Sequence, residues 1–149
     1  EYVDLDTLYR ESDIITIHTP LLPETTGMIN REAIAKMKDG VVFIDNARGE
    51  LVDIDAVTEA VESGKFGALF MDAFPGETGI IHVPHDEDII RTPGMPYFKL
   101  KYLRSFVNVY HTPHMAFFTA EAAQQMAECG INSIYEILTA GKSSHEIPC

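Results

Sequence analysis

The chain has 149 residues, 46% of them hydrophobic and 23% charged, a composition that excludes a largely disordered or low-complexity protein. Its 11 Lys and Arg residues against 23 Asp and Glu residues give a net charge of −12, which repels nucleic acid and anionic membranes. Since no apolar run approaches the roughly 20 residues of a membrane span, and the N-terminal residues carry no signal-peptide pattern, we expect no nucleic-acid or membrane partner.

Cysteine usage indicates the cellular compartment. Cys129 falls in a predicted helix and Cys149 is the last residue, so the two do not form a disulfide framework. This usage is typical of a reducing environment, and we expect the protein to be cytoplasmic.

Hydrophobic periodicity and capping residues predict helices and strands in alternation. Asn30 and Thr119 are suitable N-caps, and glycines such as Gly141 are suitable helix ends. Residues 75–100 have no stable period and predict a long loop. The predicted order is helix 4–12, strand 14–18, helix 31–38, strand 41–44, helix 55–62, strand 67–71, a helical turn at 100–104, strand 107–110 and helix 120–138.

Short connections between these elements favour parallel strands joined by right-handed crossovers, which is an α/β fold. The continuous apolar run at 41–44 is typical of a strand covered on both faces of its sheet. In such folds, ligands bind beyond the carboxyl ends of the strands. That rule selects four groups of candidates, namely His18-Thr19-Pro20, Asn46-Ala47-Arg48-Gly49, Asp72 with Glu77, and the segment 111–114.

Arg48 is the first candidate for substrate binding. Its guanidinium could hold a carboxylate through two parallel hydrogen bonds, and in an acidic protein an anionic substrate needs such a local cation. The alternative is a structural salt bridge to Glu50 or Asp53.

His114 and Glu77 are the candidates for proton transfer. An imidazole at the end of a strand is suited to acid–base catalysis near neutral pH, and a nearby carboxylate would favour its protonated form. Taken singly, His114 could instead be a structural histidine and Glu77 a surface residue of its loop.

Two histidine pairs raise the question of a metal site. His82 and His85 flank a proline, as do His111 and His114, so neither pair can form a helical ligand face, and no cysteine pair completes a zinc site. We therefore predict no metal.

Together these segments resemble the D-2-hydroxyacid dehydrogenases over nearly the whole chain. The resemblance implies NAD-dependent, reversible reduction of a 2-keto acid to its D-2-hydroxy acid. It assigns Arg48 to the substrate carboxylate, Glu77 to pairing with the histidine, and His114 to protonating the keto oxygen. It assigns the cofactor to Thr19, Pro20, Thr25, Asn46, Ala47, Arg48 and Asp72. The segments that carry it are DIITIHTPLLPETTGMIN (13–30), AIAKMKDGVVFIDNARGELVDIDAV (33–57), AVESGKFGALFMDAF (60–74) and HTPHMAFFTAEA (111–122).

The Phe117-Phe118 pair resembles the D-lactate and D-2-hydroxyisocaproate dehydrogenase branch of this family. By that resemblance, Phe117 would limit the space for the substrate's side chain, and the full-length protein would be a homodimer. The chain departs from the family pattern at residues 80–103 and at His111, which could be structural.

The glycine fingerprint G-x-G-x-x-G and its downstream acidic residue are not found in the chain. We therefore expect a C-terminal fragment that is inactive alone. Residues 1–117 would form the second half of a Rossmann-type doubly wound parallel sheet, and residues 118–149 a helix and tail that return to the substrate domain. The alternatives are an NAD-sensing corepressor on the same scaffold, or a fragment without function.

Overall fold

The computed structural model describes residues 2–77 and 96–146, with only the backbone described at 96 and 97. The chain divides into two compact units, Glu1–His114 and Met115–Cys149. The domain boundary expected between residues 117 and 118 lies three residues beyond this division. The assignment of the second unit to a substrate domain stays a prediction.

The first unit is built on a four-stranded parallel sheet, which confirms the predicted α/β fold. The sheet order is the chain order, so each strand pairs with the one before it. The strands are β1 at Ile14–Ile17, β2 at Val41–Asp45, β3 at Phe66–Met71 and β4 at Val109–His111.

Four helices accompany these strands, and polar side chains cap three of them as the sequence signals require. Asp4 accepts a hydrogen bond from the Thr7 amide, and the predicted cap Asn30 accepts one from the Ala33 amide. The helices are α1 at Leu5–Glu11, α2 at Arg31–Lys36, α3 at Ile54–Glu62 and α4 at Pro96–Leu103.

The core lies between these helices and one face of the sheet. Because every strand is added on the same side of the last, the right-handed crossovers usual between parallel strands place the described connecting helices on one face. Phe43 and Phe66 stack at a centroid distance of 5.3 Å, and α3 buries Val57 and Val61 as predicted. Each such buried aliphatic side chain stabilises the fold by about 1.5–3 kcal/mol.

The other sheet face is open within the described residues, so the prediction of a strand covered on both faces is wrong there. Along β2, Val42 and Ile44 are only half-buried. Ile14 is 63% exposed, and Phe70 and Tyr110 stack on each other at 4.6 Å while both remain exposed. The physical reason is that all the crossover helices lie on the opposite face.

Except for one helix, every element boundary lies within two residues of the sequence prediction. The helical turn expected at residues 100–104 is the eight-residue helix α4, which begins at Pro96, a residue tolerated in a first helical turn. The strand β4 begins at Val109, two residues later than expected; Val107 is almost fully exposed, and the side-chain Nδ2 of Asn108 donates to the Phe66 carbonyl at 3.1 Å.

The second unit is dominated by helix α5 at Ala120–Ala140. Thr119 caps its N-terminus through the Ala122 amide, and Gly141 ends it with a φ of 74°, both as predicted. None of the side chains of α5 is buried. In the described ranges, no helix combines the length and hydrophobicity that a membrane crossing requires.

Candidate active site

The last residues of all four strands lie side by side in the sheet. Ile17 is the register partner of Asp45, Asp45 of Met71, and Met71 of His111. Because parallel strands with this register end at one edge, the segments that follow them leave the sheet together. The four groups of candidates chosen from the sequence therefore lie along one edge.

Glu77 and His114 form a direct pair at this edge. Nδ1 of His114 lies 2.6 Å from Oε1 of Glu77, and both side chains are partly buried. A carboxylate accepts hydrogen bonds, so Nδ1 is the donor in this pair. The other oxygen of Glu77 accepts from the Phe74 amide at 3.1 Å, which fixes the carboxylate within its own turn.

The backbone of His114 is held in an unusual conformation. Its φ is 52°, which is uncommon for a residue other than glycine. Its amide donates to the Asp72 carbonyl at 2.8 Å and to the Thr112 carbonyl at 3.0 Å. Strain of this kind is often found at functional sites, where surrounding contacts maintain it. Among the described residues, no hydrogen bond is found for the other ring nitrogen, Nε2.

Arg48 is exposed at the same edge, in the turn after β2. Its guanidinium donates to the Ala47 carbonyl at 2.7 Å. The predicted alternative of a salt bridge to Glu50 or Asp53 is not formed in the described part of the chain. Glu50 instead accepts from the Gly76 amide at 3.2 Å, and Asp53 caps α3 and lies 3.5 Å from Arg31.

The turn that carries Arg48 packs directly against the turn that carries Glu77. A Cβ atom added to Gly49 would overlap the carbonyl carbon of Phe74 and the nitrogen of Pro75. Only glycine permits this approach of two backbones. The Glu50 contact to Gly76 joins the same two turns.

A cavity of about 430 Å³ lies beyond the ends of β1 and β2. Such a volume lies within the ordinary range for small-ligand sites. Five of the seven predicted cofactor residues line it. The lining residues are His18, Thr19, Pro20, Leu21, Asn46, Ala47 and Arg48.

Thr25, also predicted to contact the cofactor, is not among these lining residues. Its hydroxyl donates to the Pro20 carbonyl and accepts from the Leu22 amide, both at 2.8 Å. In this structure Thr25 therefore shapes the loop that carries Pro20, and its contact with a cofactor stays a prediction.

Asp72 lies beside a second cavity of about 570 Å³ that also includes Asn46. The carboxylate is buried and accepts from the Thr112 hydroxyl at 2.5 Å. His111 and Arg104 line the same cavity. Burial, reinforced by the Arg104 guanidinium, lowers the pKa of His111 below its ordinary 6.5. No role was predicted for Arg104 from the sequence.

Asp45 is a site residue that the sequence reasoning missed. It is the last residue of β2, and its side chain is fully buried. Burial, with the nearby Glu50 and Glu77 carboxylates, raises its pKa from 3.8 to about 6. The signal was available, because the alternation of β2 points residues 41, 43 and 45 to the same buried face.

The remaining predictions concern the second unit and the metal. Phe117 belongs to the second unit, where its ring meets Phe118 edge to face at 6.1 Å and is exposed. Among the residues in the described ranges, no group of three or more His, Cys, Asp or Glu side chains could hold a metal ion. His82 and His85 lie outside those ranges.

Comparisons with known proteins agree with this arrangement. Residues 1–116 match the family "D-isomer specific 2-hydroxyacid dehydrogenase, NAD binding domain". An aromatic 2-oxoacid reductase of Clostridium sporogenes is 39% identical over 149 residues, which are 100% of this chain and 44% of the reductase. The chain thus spans less than half the length of these curated relatives.

Solved structures show the same fold. The NAD-complexed D-isomer specific 2-hydroxyacid dehydrogenase of Lactobacillus delbrueckii ssp. bulgaricus superposes with a TM-score of 0.88 at 31% identity, covering 99% of this chain and 43% of that one. The D-lactate dehydrogenase of Aquifex aeolicus, complexed with NAD and lactic acid, superposes with a TM-score of 0.81 at 32% identity, covering 99% and 45%. The chain belongs to the D-isomer-specific 2-hydroxyacid dehydrogenase family and carries residues of its NAD-binding domain.

Proposed function

We propose that the protein reduces a 2-oxo acid to the D-2-hydroxy acid with NADH, and catalyses the reverse reaction with NAD. The single observation that carries this proposal is the Glu77–His114 pair, held at the same strand edge as the exposed Arg48. An acid–base pair at the same end of the sheet as an exposed guanidinium suits the reduction of a carbonyl next to a carboxylate.

The residues present fit the nicotinamide end of the cofactor. They offer a cavity of suitable volume beyond β1 and β2 and a buried carboxylate at Asp72. When bound, NADH supplies the hydride for the carbonyl carbon. The residues proposed to hold it are Thr19, Pro20, Thr25, Asn46, Ala47, Arg48 and Asp72.

His114 is proposed to handle the proton. As negative charge develops on the carbonyl oxygen, Nε2 of the protonated imidazole donates to it. Glu77 binds Nδ1, which orients the ring toward the substrate and stabilises its positive charge. In the reverse direction, Nε2 accepts the hydroxyl proton.

Arg48 is proposed to bind the substrate's carboxylate. Its guanidinium is exposed and engages only a backbone carbonyl among the described residues, so donors remain for a carboxylate. We propose that Phe117 limits the substrate's side chain, as the resemblance to the D-lactate and D-2-hydroxyisocaproate branch implies. The Clostridium sporogenes relative is a reductase of aromatic 2-oxo acids, so the assay includes pyruvate, 2-oxoisocaproate and phenylpyruvate.

We also propose a cytoplasmic homodimer that binds neither nucleic acid nor membranes. The net charge of −12 supports the proposed lack of binding to nucleic acid and membranes. The exposed free Cys129 supports the cytoplasmic location. Family resemblance supports the dimer. Sedimentation of the purified protein at several concentrations tests the dimer, and a monomer at all of them would contradict it.

The test of the activity is oxidation of NADH by the complete protein with each of the three 2-oxo acids. In Arg48→Lys we expect kcat/KM to fall roughly 30-fold or more, because Lys cannot form two parallel hydrogen bonds to a carboxylate. Arg31→Lys, which alters a surface pair with Glu59, is the matched control and should retain activity. Unchanged turnover in Arg48→Lys, or no turnover of any 2-oxo acid by the wild type, would refute the assignment.

A further inference from the structure

Asp45 joins the ends of two strands and the Arg48 turn. Its Oδ1 accepts from the Ala47 amide at 3.0 Å, inside the turn Asn46-Ala47-Arg48. Its backbone carbonyl accepts from the Asp72 amide at 2.9 Å, across to the end of β3. The residue therefore contacts both segments that are proposed to hold the cofactor and the substrate.

Keeping a carboxyl group at this position is costly. The side chain is fully buried, and no described residue lies within hydrogen-bond distance of Oδ2. An apolar or amide side chain would remove the charge that burial disfavours. Buried polar groups with unsatisfied atoms are rare in native structures and call for a specific explanation. Stability alone does not explain why a carboxyl group lies at this buried position.

The charged groups around Asp45 come from three segments. Glu50 faces it from the turn after β2, and Glu77, which holds His114, faces it from the turn after β3. The backbone amides of Ala47 and Arg48 point toward it from its own turn. Ionisation of Asp45 would therefore add a third negative charge to the two turns that carry Arg48 and Glu77.

We propose that Asp45 is a positioning residue: its carboxyl group holds the Arg48 turn through the Ala47 amide, and Arg48 binds the substrate's carboxylate most tightly while Asp45 is uncharged. This inference rests on the proposed function, because it takes Arg48 to be the carboxylate-binding group. It adds a pH dependence of substrate affinity that originates outside the Glu77–His114 pair.

The decisive comparison is between the wild type, Asp45→Asn and Asp45→Leu in the complete protein. Asn is always neutral and keeps the oxygen that accepts from Ala47, whereas Leu has the same number of side-chain heavy atoms, a larger volume and no acceptor. Asp53→Asn is the matched control, since Asp53 also accepts backbone amides but at the start of α3. The KM for pyruvate and kcat are measured between pH 5 and 8.

In the wild type and in Asp53→Asn we expect the KM for pyruvate to rise roughly fivefold or more over this range, because a nearby negative charge opposes anion binding. In Asp45→Asn the rise in KM should be less than about half of the rise in the wild type, and kcat should be nearly the same as in the wild type. In Asp45→Leu the KM should be about tenfold higher throughout, from loss of the hydrogen bond. A wild-type pH dependence of KM in Asp45→Asn would overturn the proposal.

A readout without substrate separates this inference from the proposed function. Hydrogen exchange at the Ala47 amide should be slow in the wild type and in Asp45→Asn, and fast in Asp45→Leu, where its acceptor is gone. If the wild type reduces no 2-oxo acid, the proposed function fails, while this exchange still decides whether Asp45 holds the turn. Equal protection of Ala47 in all three proteins would overturn the positioning role. Should Asp45→Leu not fold, the pH profile of Asp45→Asn decides.

Discussion

At the scale of single residues, Glu77 acts on His114 in two ways. The 2.6 Å contact to Nδ1 fixes the direction of the ring, and the carboxylate places a negative charge beside it. The Phe74 amide in turn holds the second carboxylate oxygen, so the pair has little freedom to reorient. A neutral partner of the same shape would keep the orientation and lose the charge.

Glu77→Gln tests the charge separately. We expect kcat for pyruvate reduction to fall about 10- to 100-fold with little change in KM, because a neutral amide no longer balances the positive charge of the imidazole that donates the proton. Steady-state kinetics of the complete protein measure both constants. Glu59→Gln, which alters a surface pair with Arg31, is the control and should match the wild type. An equal kcat in the two variants would show that the charge of Glu77 is not used.

The raised pKa of Asp45 also predicts how stability depends on pH. The folded protein holds the Asp45 proton up to a pKa of about 6, against an ordinary value of 3.8, so ionisation costs stability as pH rises through this window. The cost at pH 7 is about 3 kcal/mol. Asp45→Asn avoids it, so its advantage in the free energy of unfolding should grow by that order between pH 4 and pH 7, measured with urea.

Asp39 provides the opposite case as a control. The Lys65 ammonium lies 2.8 Å away and lowers the pKa of Asp39, so its contribution to stability is present above pH 3.8 and is lost as pH falls. Asp39→Asn should therefore be slightly less stable than the wild type near neutral pH, and this difference in the free energy of unfolding should disappear at low pH. Parallel pH profiles for the two variants would contradict the account of Asp45.

At the scale of elements, local patterns were sufficient for much of the fold. The ends of strands β1 to β3 lie within one residue of their predicted positions, because short β-branched and apolar runs between polar loops are typical of buried strands. The grouping of candidates at one edge also followed from the parallel order. Helix α4 was underestimated because a proline at its first position resembles a loop signal.

Other features depend on contacts between segments distant in sequence, and no local pattern contains them. The pairing of Glu77 with His114 spans 37 residues, and the positive φ of His114 is maintained by the Asp72 carbonyl. The approach of Gly49 to Phe74 and Pro75 is of the same kind. Its sequence signal was only a glycine after Arg48, which many turns would also explain.

Gly49→Ala tests that approach. The new methyl group would meet backbone atoms that no side-chain rotation can move, so the two turns must separate. We expect a loss of about 1–3 kcal/mol in the free energy of unfolding and a clear fall in kcat/KM as Arg48 shifts relative to Glu77. Gly130→Ala is the control: its added methyl meets nothing within 4 Å, and helix propensity predicts a gain of about 0.5–1 kcal/mol. Wild-type kinetics in Gly49→Ala would show that the contact does not set the site.

At the scale of the whole molecule, α5 carries apolar side chains that the described residues leave uncovered. Ile131, Ile134 and Leu138 are each more than 60% exposed and recur at helical spacing. Such a stripe is typical of a helix that packs on another element. The expectation that this helix returns to the substrate domain would account for it.

Ile134→Glu in the complete protein tests that expectation. If another element covers the stripe in the complete protein, the substitution removes about 1.5–3 kcal/mol of stabilisation from apolar burial and buries a charge in its place. The thermal midpoint of unfolding should then fall by about 5 °C or more. Asn132→Glu places the same charge elsewhere on the helix and should shift the midpoint by less than about 2 °C. Equal midpoints for the two variants would show that the stripe stays exposed to solvent.

The sequential order of the sheet has a consequence for synthesis on the ribosome. Among the four described strands, each pairs only with strands adjacent in the chain, so none of them has to be inserted between two earlier ones. A nascent chain can therefore extend its sheet one strand at a time in the order of translation. The edge residues Arg48, Glu77 and His114 would emerge in that same order, and the Glu77–His114 contact would form only after β4 has left the exit tunnel.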